Sequence, residues 1–230
     1  MIKFTKYGQP FVTLLLAGFP LDLAVCVLVG VLGLPWLGVV LAAMTVPTYS
    51  VLIGFFRDPD RRADREPIPA GELLAPADGK ITDVAELVDE RVGGPALRIG
   101  IFLSIFNVHL NRAPCAVRVI EITSRTGEFL NAMNPASSSR NAATDLVLEP
   151  VGGAGVNLPR RIVVRQIAGA IAQRIVTDTA AGAALAAGER FGMIRFGSRT
   201  ELIVPAEPAP QVHVRVGDRV RAGEHTLLSY

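Results

Sequence analysis

Cysteine, histidine and charge are all scarce in this chain of 230 residues, and each shortage removes a class of function. Two cysteines, Cys26 and Cys115, cannot build a disulfide framework. Three histidines and two cysteines, with no C-x-x-C or H-x-x-x-H spacing, form no ligand pattern, so no metal is expected. Only 19% of residues are charged, the 23 Lys and Arg nearly balance 21 Asp and Glu, and aromatics make up 6%. A basic surface interleaved with aromatics is therefore missing, and no nucleic-acid partner is expected. Apolar residues, by contrast, are plentiful at 50%, with a mean hydropathy of +0.39. The chain can bury a real core and is too apolar to be disordered.

Much of that apolar content lies at the front. From Phe11 to Phe56 the only charged residue is Asp22. One span needs roughly 20 apolar residues as a helix, so this stretch suffices for two. Gly30 to Pro35 supplies a break in the middle, which predicts helices near 11–29 and 36–56, a membrane hairpin. Lys3 and Lys6 precede it, and Arg57, Arg61, Arg62 and Arg65 follow it, so the positive-inside rule places both ends in the cytoplasm. Leu23-Ala24-Val25-Cys26 looks somewhat like a lipoprotein processing site, but Val25 is large for the residue before a cut and a second apolar span follows. Asp22, just after Pro20, reads as a cap or a residue reaching the membrane interface.

A Pro- and Arg-rich linker (57–70) leads to a change of texture. Short β-branched runs cut by Gly, Pro and Asp recur at 80–84, 96–105, 116–122, 145–148, 161–166 and 201–204, several with the period-two alternation of half-buried strands. Residues 179–187 are a weak helix candidate, and Asn134 to Arg140 reads as a mobile loop. The expected fold is mainly β, an antiparallel sandwich or barrel-sandwich-like domain over 71–230 behind the hairpin of 1–56. Val212 to Leu228 resembles the closing hairpin of a lipoyl or biotinyl carrier, but the chain has no attachment lysine in a suitable turn.

Three segments carry more chemistry than a scaffold needs. Ala75-Pro76-Ala77-Asp78-Gly79-Lys80 is a turn into a strand. Phe106-Asn107-Val108-His109-Leu110-Asn111-Arg112 sets the one histidine of the central region among two asparagines and an arginine. Phe196-Gly197-Ser198-Arg199-Thr200 joins two strand-like runs. Read singly, each is equally well a turn, a structural histidine and a second turn.

Together with Phe55-Phe56-Arg57-Asp58-Pro59-Asp60-Arg61, these segments stand in an order that resembles the short, prokaryotic form of phosphatidylserine decarboxylase, a pyruvoyl-dependent family that cuts itself. The resemblance covers nearly everything from Phe55 to Tyr230. It implies that the Ser198 hydroxyl attacks the Gly197 carbonyl. The ester so formed eliminates to dehydroalanine, which hydrolyses to a pyruvoyl group and ammonia. Residues 1–197 become a β chain and 198–230 an α chain, held as a heterodimer, with higher oligomers left open. Glycine at 197 suits a distorted backbone and an unhindered carbonyl. The pyruvoyl group, made from Ser198, is the implied cofactor. The amine of phosphatidylserine forms a Schiff base with it, CO2 leaves, and phosphatidylethanolamine is released, the electron-sink logic of pyridoxal phosphate.

The resemblance also carries His109 and Asp78 into general acid–base roles, with Asp78 orienting the imidazole. The H-x-x-H of the family's long branch is missing, with Arg112 at its second position, so either His109 serves both steps or self-cleavage relies on a different base. Arg112 is a candidate for binding the substrate carboxylate or phosphate. Arg57, Arg61 and Arg62 are candidates for meeting anionic headgroups. The expected location is the inner membrane with the catalytic part cytoplasmic. Two other readings are a membrane-anchored serine hydrolase using Ser198, His109 and Asp78, and a non-catalytic membrane-tethered barrel-sandwich module. The hydrolase lacks the G-x-S-x-G elbow.

Overall fold

The computed structural model describes residues 3–61, 63, 68–151, 159–170, 174–195 and 197–230. Arg62, Arg65 and Phe196, drawn on above, lie outside them. The chain forms two compact units, Met1–Pro59 and Asp60–Tyr230.

The first unit is a helical hairpin. Helix α1 spans Phe11–Val31 and α2 spans Pro35–Phe55, each 21 residues and each long and apolar enough to cross a membrane. Pro35 opens α2 where its missing N–H costs nothing, and Gly33 turns the chain at φ +99°. Small residues let the helices touch: a Cβ on Gly38 would stand 2.6 Å from the Cys26 carbonyl oxygen, so only glycine fits there. Asp22 is not a cap. It sits inside α1 and accepts a 2.6 Å hydrogen bond from the Tyr49 hydroxyl on α2, tying the helices together. Leu14, Leu21, Val27, Trp36 and Met44 are exposed, a surface suited to an apolar medium rather than to water.

The second unit is built from antiparallel strands. In chain order they are β1 (Glu72–Leu74), β2 (Gly79–Asp89), β3 (Gly94–Leu103), β4 (Leu110–Arg112), β5 (Val117–Arg125), β6 (Ala143–Pro150) and β7 (Ile162–Ile167). There follow β8 (Ile175–Thr177), β9 (Ala184–Leu185), β10 (Arg190–Ile194), β11 (Ser198–Pro205), β12 (Gln211–Val212), β13 (Arg219–Val220) and β14 (Thr226–Ser229). The main sheet has the order β13-β2-β3-β11-β7-β6-β5-β9, and two three-stranded sheets, β1-β14-β12 and β4-β10-β8, complete the unit. This is the mainly β, antiparallel fold that the alternating pattern predicts.

Strand β11 lies at the centre, between β3 and β7, and all eight of its residues are buried. Leu202 and Val204 join Ile99, Ile101, Leu146 and Phe191 in the main core, while Ile203 packs with Val147 and Val163 in a smaller one. Register fixes what stands at the end of the sheet: Ser198 lies opposite Leu103, Arg199 opposite Ile167, and Ala143 opposite Ile167. The connections 104–109 and 126–142, and the described residues 168–170 and 197, therefore all lie at the edge where β11 begins.

Two local expectations fail. Residues 179–187 give the short strand β9 and turns instead of a helix, because Ala184 pairs with Arg118 and the Ala183 N–H bonds the Ala180 carbonyl. Asn134 to Arg140 is no loose loop: Ser137–Arg140 makes one helical turn, α3, whose Ser137 and Ser138 are buried. There the Asn134 side chain accepts the Ala136 N–H at 3.0 Å and Ser138 donates to Glu201 at 3.0 Å.

Candidate active site

The three chemistry-bearing segments, scattered over more than 120 positions, are brought together by one side chain that sequence reasoning passed over. Asn111 is fully buried and donates from Nδ2 to the Thr200 hydroxyl at 3.0 Å and to the Pro76 carbonyl at 3.3 Å. It thereby ties the 106–112 segment to the other two. Gln166 donates to Asn111 at 2.8 Å and accepts from Thr177 at 2.9 Å, extending the network. Every one of these polar groups is neutral, and in a dry interior such a network is stable only when its members satisfy one another. Asn111 and Gln166 stand next to apolar strand residues in sequence, and nothing in a period-two pattern separates a networked amide from a solvated one.

Ser198 opens β11 on the same side of the strand as Thr200. It is fully buried, and its Oγ has no hydrogen-bond partner among the described residues. A buried hydroxyl without a partner forfeits about 1–3 kcal/mol, so its presence there needs a reason other than stability. Gly197, immediately before it, has φ +66°, the left-handed region that a side chain enters only under strain. A hydroxyl held dry directly after a glycine in a left-handed turn, where no Cβ hinders the preceding carbonyl, fits self-cleavage at Gly197-Ser198 and so the formation of a pyruvoyl group.

His109 is fully buried just ahead of β4. Its backbone carbonyl accepts the Ile194 N–H at 3.2 Å, which ties it to the last residue of β10, four positions before Ser198. Its Nδ1 lies 3.0 Å from the Asn107 carbonyl oxygen. A carbonyl can only accept, so Nδ1 carries the proton and Nε2 is the basic nitrogen. Asn107 is itself fixed, accepting from the Ser104 N–H at 2.9 Å and the Ser104 hydroxyl at 2.7 Å.

Asp78 is placed differently from the triad-like expectation. Its carboxylate takes both Nη1 and Nη2 of Arg61, the latter at 2.7 Å, and also accepts the Ala222 N–H at 2.9 Å. Arg61 donates in addition to the Ala222 carbonyl at 3.1 Å. Asp78 thus clamps the start of this unit to the 222–224 turn, and the group that orients His109 through Nδ1 is a backbone carbonyl. Arg61, with its side chain 6% exposed, is buried in this ion pair and is not a headgroup contact. Arg112 is buried too: its Nη1 donates to the Gly188 carbonyl at 2.9 Å and its Cδ packs on Gly223, so it braces two turns.

The opposite side of β11 is ionic. Arg199 donates to Glu201 at 2.8 Å, to Thr82 at 2.9 Å and to Asp83 at 2.5 Å. Glu201, fully buried, also meets Arg165 at 3.6 Å and Arg98 at 3.8 Å. Burial alone would raise the Asp83 carboxyl, but Arg199, Thr82 and Arg98 outweigh it and hold it below the usual carboxylate range. The one thiol in this unit, Cys115, is pushed up to about 12 by burial and is no nucleophile near neutral pH.

Comparison with known proteins adds an independent finding. The profile of the phosphatidylserine decarboxylase family matches residues 49–227. The chain is 39% identical over 227 residues to a phosphatidylserine decarboxylase proenzyme of Rhodopirellula baltica, covering 98% of this chain and 90% of that one. It is 42% identical over 224 residues to the proenzyme of Symbiobacterium thermophilum, covering 96% and 93%. Over 174 residues it is 42% identical to that of Syntrophotalea carbinolica, covering 75% and 76%.

Proposed function

The chain belongs to the phosphatidylserine decarboxylase family, and we propose that it matures by cutting itself between Gly197 and Ser198 and then decarboxylates phosphatidylserine at the new N-terminus. It is a decarboxylase made as a proenzyme, as its relatives are. The observation that carries the site assignment is the buried Ser198 Oγ, without a partner among the described residues, directly after a left-handed Gly197.

In this reading His109 Nε2 takes the Ser198 hydroxyl proton, Nδ1 being held by Asn107. The pyruvoyl group supplies a carbonyl that draws off the electron pair left when CO2 departs. The chain's own residues keep the site dry and fixed: Thr200 and Asn111 beneath it, Arg199 locked behind it. Cleavage leaves the α chain of 198–230 threaded through the fold, with β11 central in the main sheet, β13 on β2 and β14 on β1. The two chains therefore stay together as a heterodimer. With Asp78 taken up by Arg61, the serine hydrolase reading loses the member that would orient its histidine.

The substrate is a bilayer lipid, and burying each CH2 of its tails is worth about 0.8 kcal/mol, so the enzyme must work at the membrane. The hairpin holds it there, with both ends cytoplasmic by their Lys and Arg. Among the described residues of the second unit, the exposed phenylalanines and the exposed methionine, Phe106, Phe129 and Met133, all lie on loops at the end of the sheet where Ser198 begins. Its other exposed large apolar residues, among those described, are Val88, Val151 and Val216. That end is the one suited to face lipid.

The test is an intact-mass spectrum of the purified protein beside a Ser198→Ala variant. A fragment of about 33 residues with a blocked N-terminus, absent from the variant, is expected. An intact chain of 24.5 kDa in both samples overturns the reading.

A further inference from the structure

Two glycines meet at the scissile bond, and they are glycine for different reasons. A Cβ on Gly197 would touch nothing within 4 Å, so that position needs glycine for its φ of +66° and not for room. Gly169, two residues past the end of β7, is the reverse case. It is absent from the positive-φ glycines, yet a Cβ built on it would lie 1.5 Å from the Gly197 carbonyl oxygen and 2.7 Å from the carbonyl carbon. Real Cβ atoms essentially never come within 3.0 Å of another heavy atom in this way. The Gly197 carbonyl therefore rests directly on the bare Cα of Gly169.

The seat is held from behind. The Ala168 N–H bonds the Ala142 carbonyl at 3.0 Å, and the Ala168 carbonyl accepts from Asn141 Nδ2 at 2.7 Å. Asn141 is fully buried and braces the other flank as well, donating to the Leu130 carbonyl at 2.8 Å and accepting the Leu130 N–H at 3.0 Å. The segment that carries Gly169 is thus fixed to the sheet edge where β11 begins.

We propose that Gly169 is a positioning residue for self-cleavage, its bare Cα being the seat that sets the plane of the Gly197-Ser198 peptide. The inference rests on that bond being the one that is cut. In the step concerned, Ser198 Oγ bonds to the Gly197 carbonyl carbon, the bond from that carbon to the Ser198 nitrogen breaks, and the hydroxyl proton ends on that nitrogen. An amide becomes an ester and a free amine with no other reactant. While the carbon is tetrahedral its oxygen carries negative charge, and a Cα–H contact is only a weak donor. The contribution of Gly169 is accordingly geometric. Displacing a reacting group by about 1 Å costs on the order of a hundredfold in rate, and a methyl group on Gly169 displaces this carbonyl by more than that.

The experiment follows self-cleavage of Gly169→Ala by intact mass, with melting of its precursor compared with that of Ser198→Ala. Cleavage slowed about a hundredfold or more in a precursor that melts with Ser198→Ala is expected. Hydroxylamine, which splits esters, should release no 1–197 fragment from it. Those molecules that do mature should decarboxylate at the wild-type rate per pyruvoyl group, a result that a general loosening of the fold would not give. Asn141→Ala, which removes support without adding an atom, should slow cleavage by about tenfold and serves as the reading if Gly169→Ala does not fold. Cleavage of either folded variant at the wild-type rate, or an ester that hydroxylamine splits in Gly169→Ala, overturns the seat. If the wild-type chain itself stays uncut, it is the scissile-bond assignment that has failed.

Discussion

The two sides of strand β11 are both buried and are built on opposite principles. On one side Thr200 joins a neutral network with Asn111 and, through it, Gln166 and Thr177, while the Ser198 hydroxyl has no partner among the described residues. On the other, Arg199 and Glu201 meet Asp83, Arg98 and Arg165. Ionic surroundings fix the strand's first residues in place, which matters if, as proposed, this segment becomes a chain terminus at Ser198. One face is uncharged and the other is locked by ion pairs.

The largest effect should come from breaking the ionic side. Glu201→Gln leaves Arg98, Arg165 and Arg199 facing one another without their shared carboxylate. Removing one partner of a buried ionic cluster costs about 3–5 kcal/mol, because the remaining charges stay buried. Denaturant unfolding of the detergent-solubilised precursor, in the Ser198→Ala background so that cleavage does not intervene, should show that loss. A shift under about 1 kcal/mol would mean that water reaches the cluster and that the locked face is looser than drawn.

The neutral side should break more cheaply. Thr200→Val keeps the shape and removes the acceptor of Asn111, which retains its weaker bond to the Pro76 carbonyl. Losing one hydrogen bond while a buried donor is left partly served costs about 1–3 kcal/mol. Unfolding in the same background measures it, and a cost equal to that of Glu201→Gln would erase the distinction between the two faces.

This distinction was only half legible in the sequence. The hairpin was read nearly to its ends, since long apolar runs broken by Gly and Pro have few alternatives; the helices run 11–31 and 35–55. Strands with clear alternation also stand where expected. The ionic face could not be read, because Asp83, Arg98, Arg165 and Glu201 are polar letters in a period-two pattern, which normally marks the solvent side of a sheet. Here that side is covered in part by α3, whose Ser138 donates to Glu201, and α3 itself hides in a Ser-rich stretch with no apolar periodicity. Ser198, Gly197 and His109 stand out through the family's motifs, and the structure buries Ser198 and His109 and sets Gly197 at a left-handed φ. Asp78 and Arg112 belong to the same motifs but serve as braces, a difference that spacing along the chain cannot express.

The smallest effect sharpens the comparison through pH. Although burial raises it, the Asp83 carboxyl is held below its ordinary value by Arg199, Thr82 and Arg98, and the Asp145 carboxyl is held down likewise by Arg165 and Arg91. A carboxyl depressed in the folded state binds its proton more readily when unfolded. Its stabilising contribution is therefore complete above the unfolded value of about 4 and fades as the pH falls toward the folded one. Stability of the Ser198→Ala precursor should hold through the slightly acidic range and then drop as these carboxyls take up protons. In Asp83→Asn the drop should be shallower, because one depressed group has gone. A drop of the same depth in both proteins would place the acid-sensitive contacts elsewhere and detach Asp83 from the lock behind Ser198.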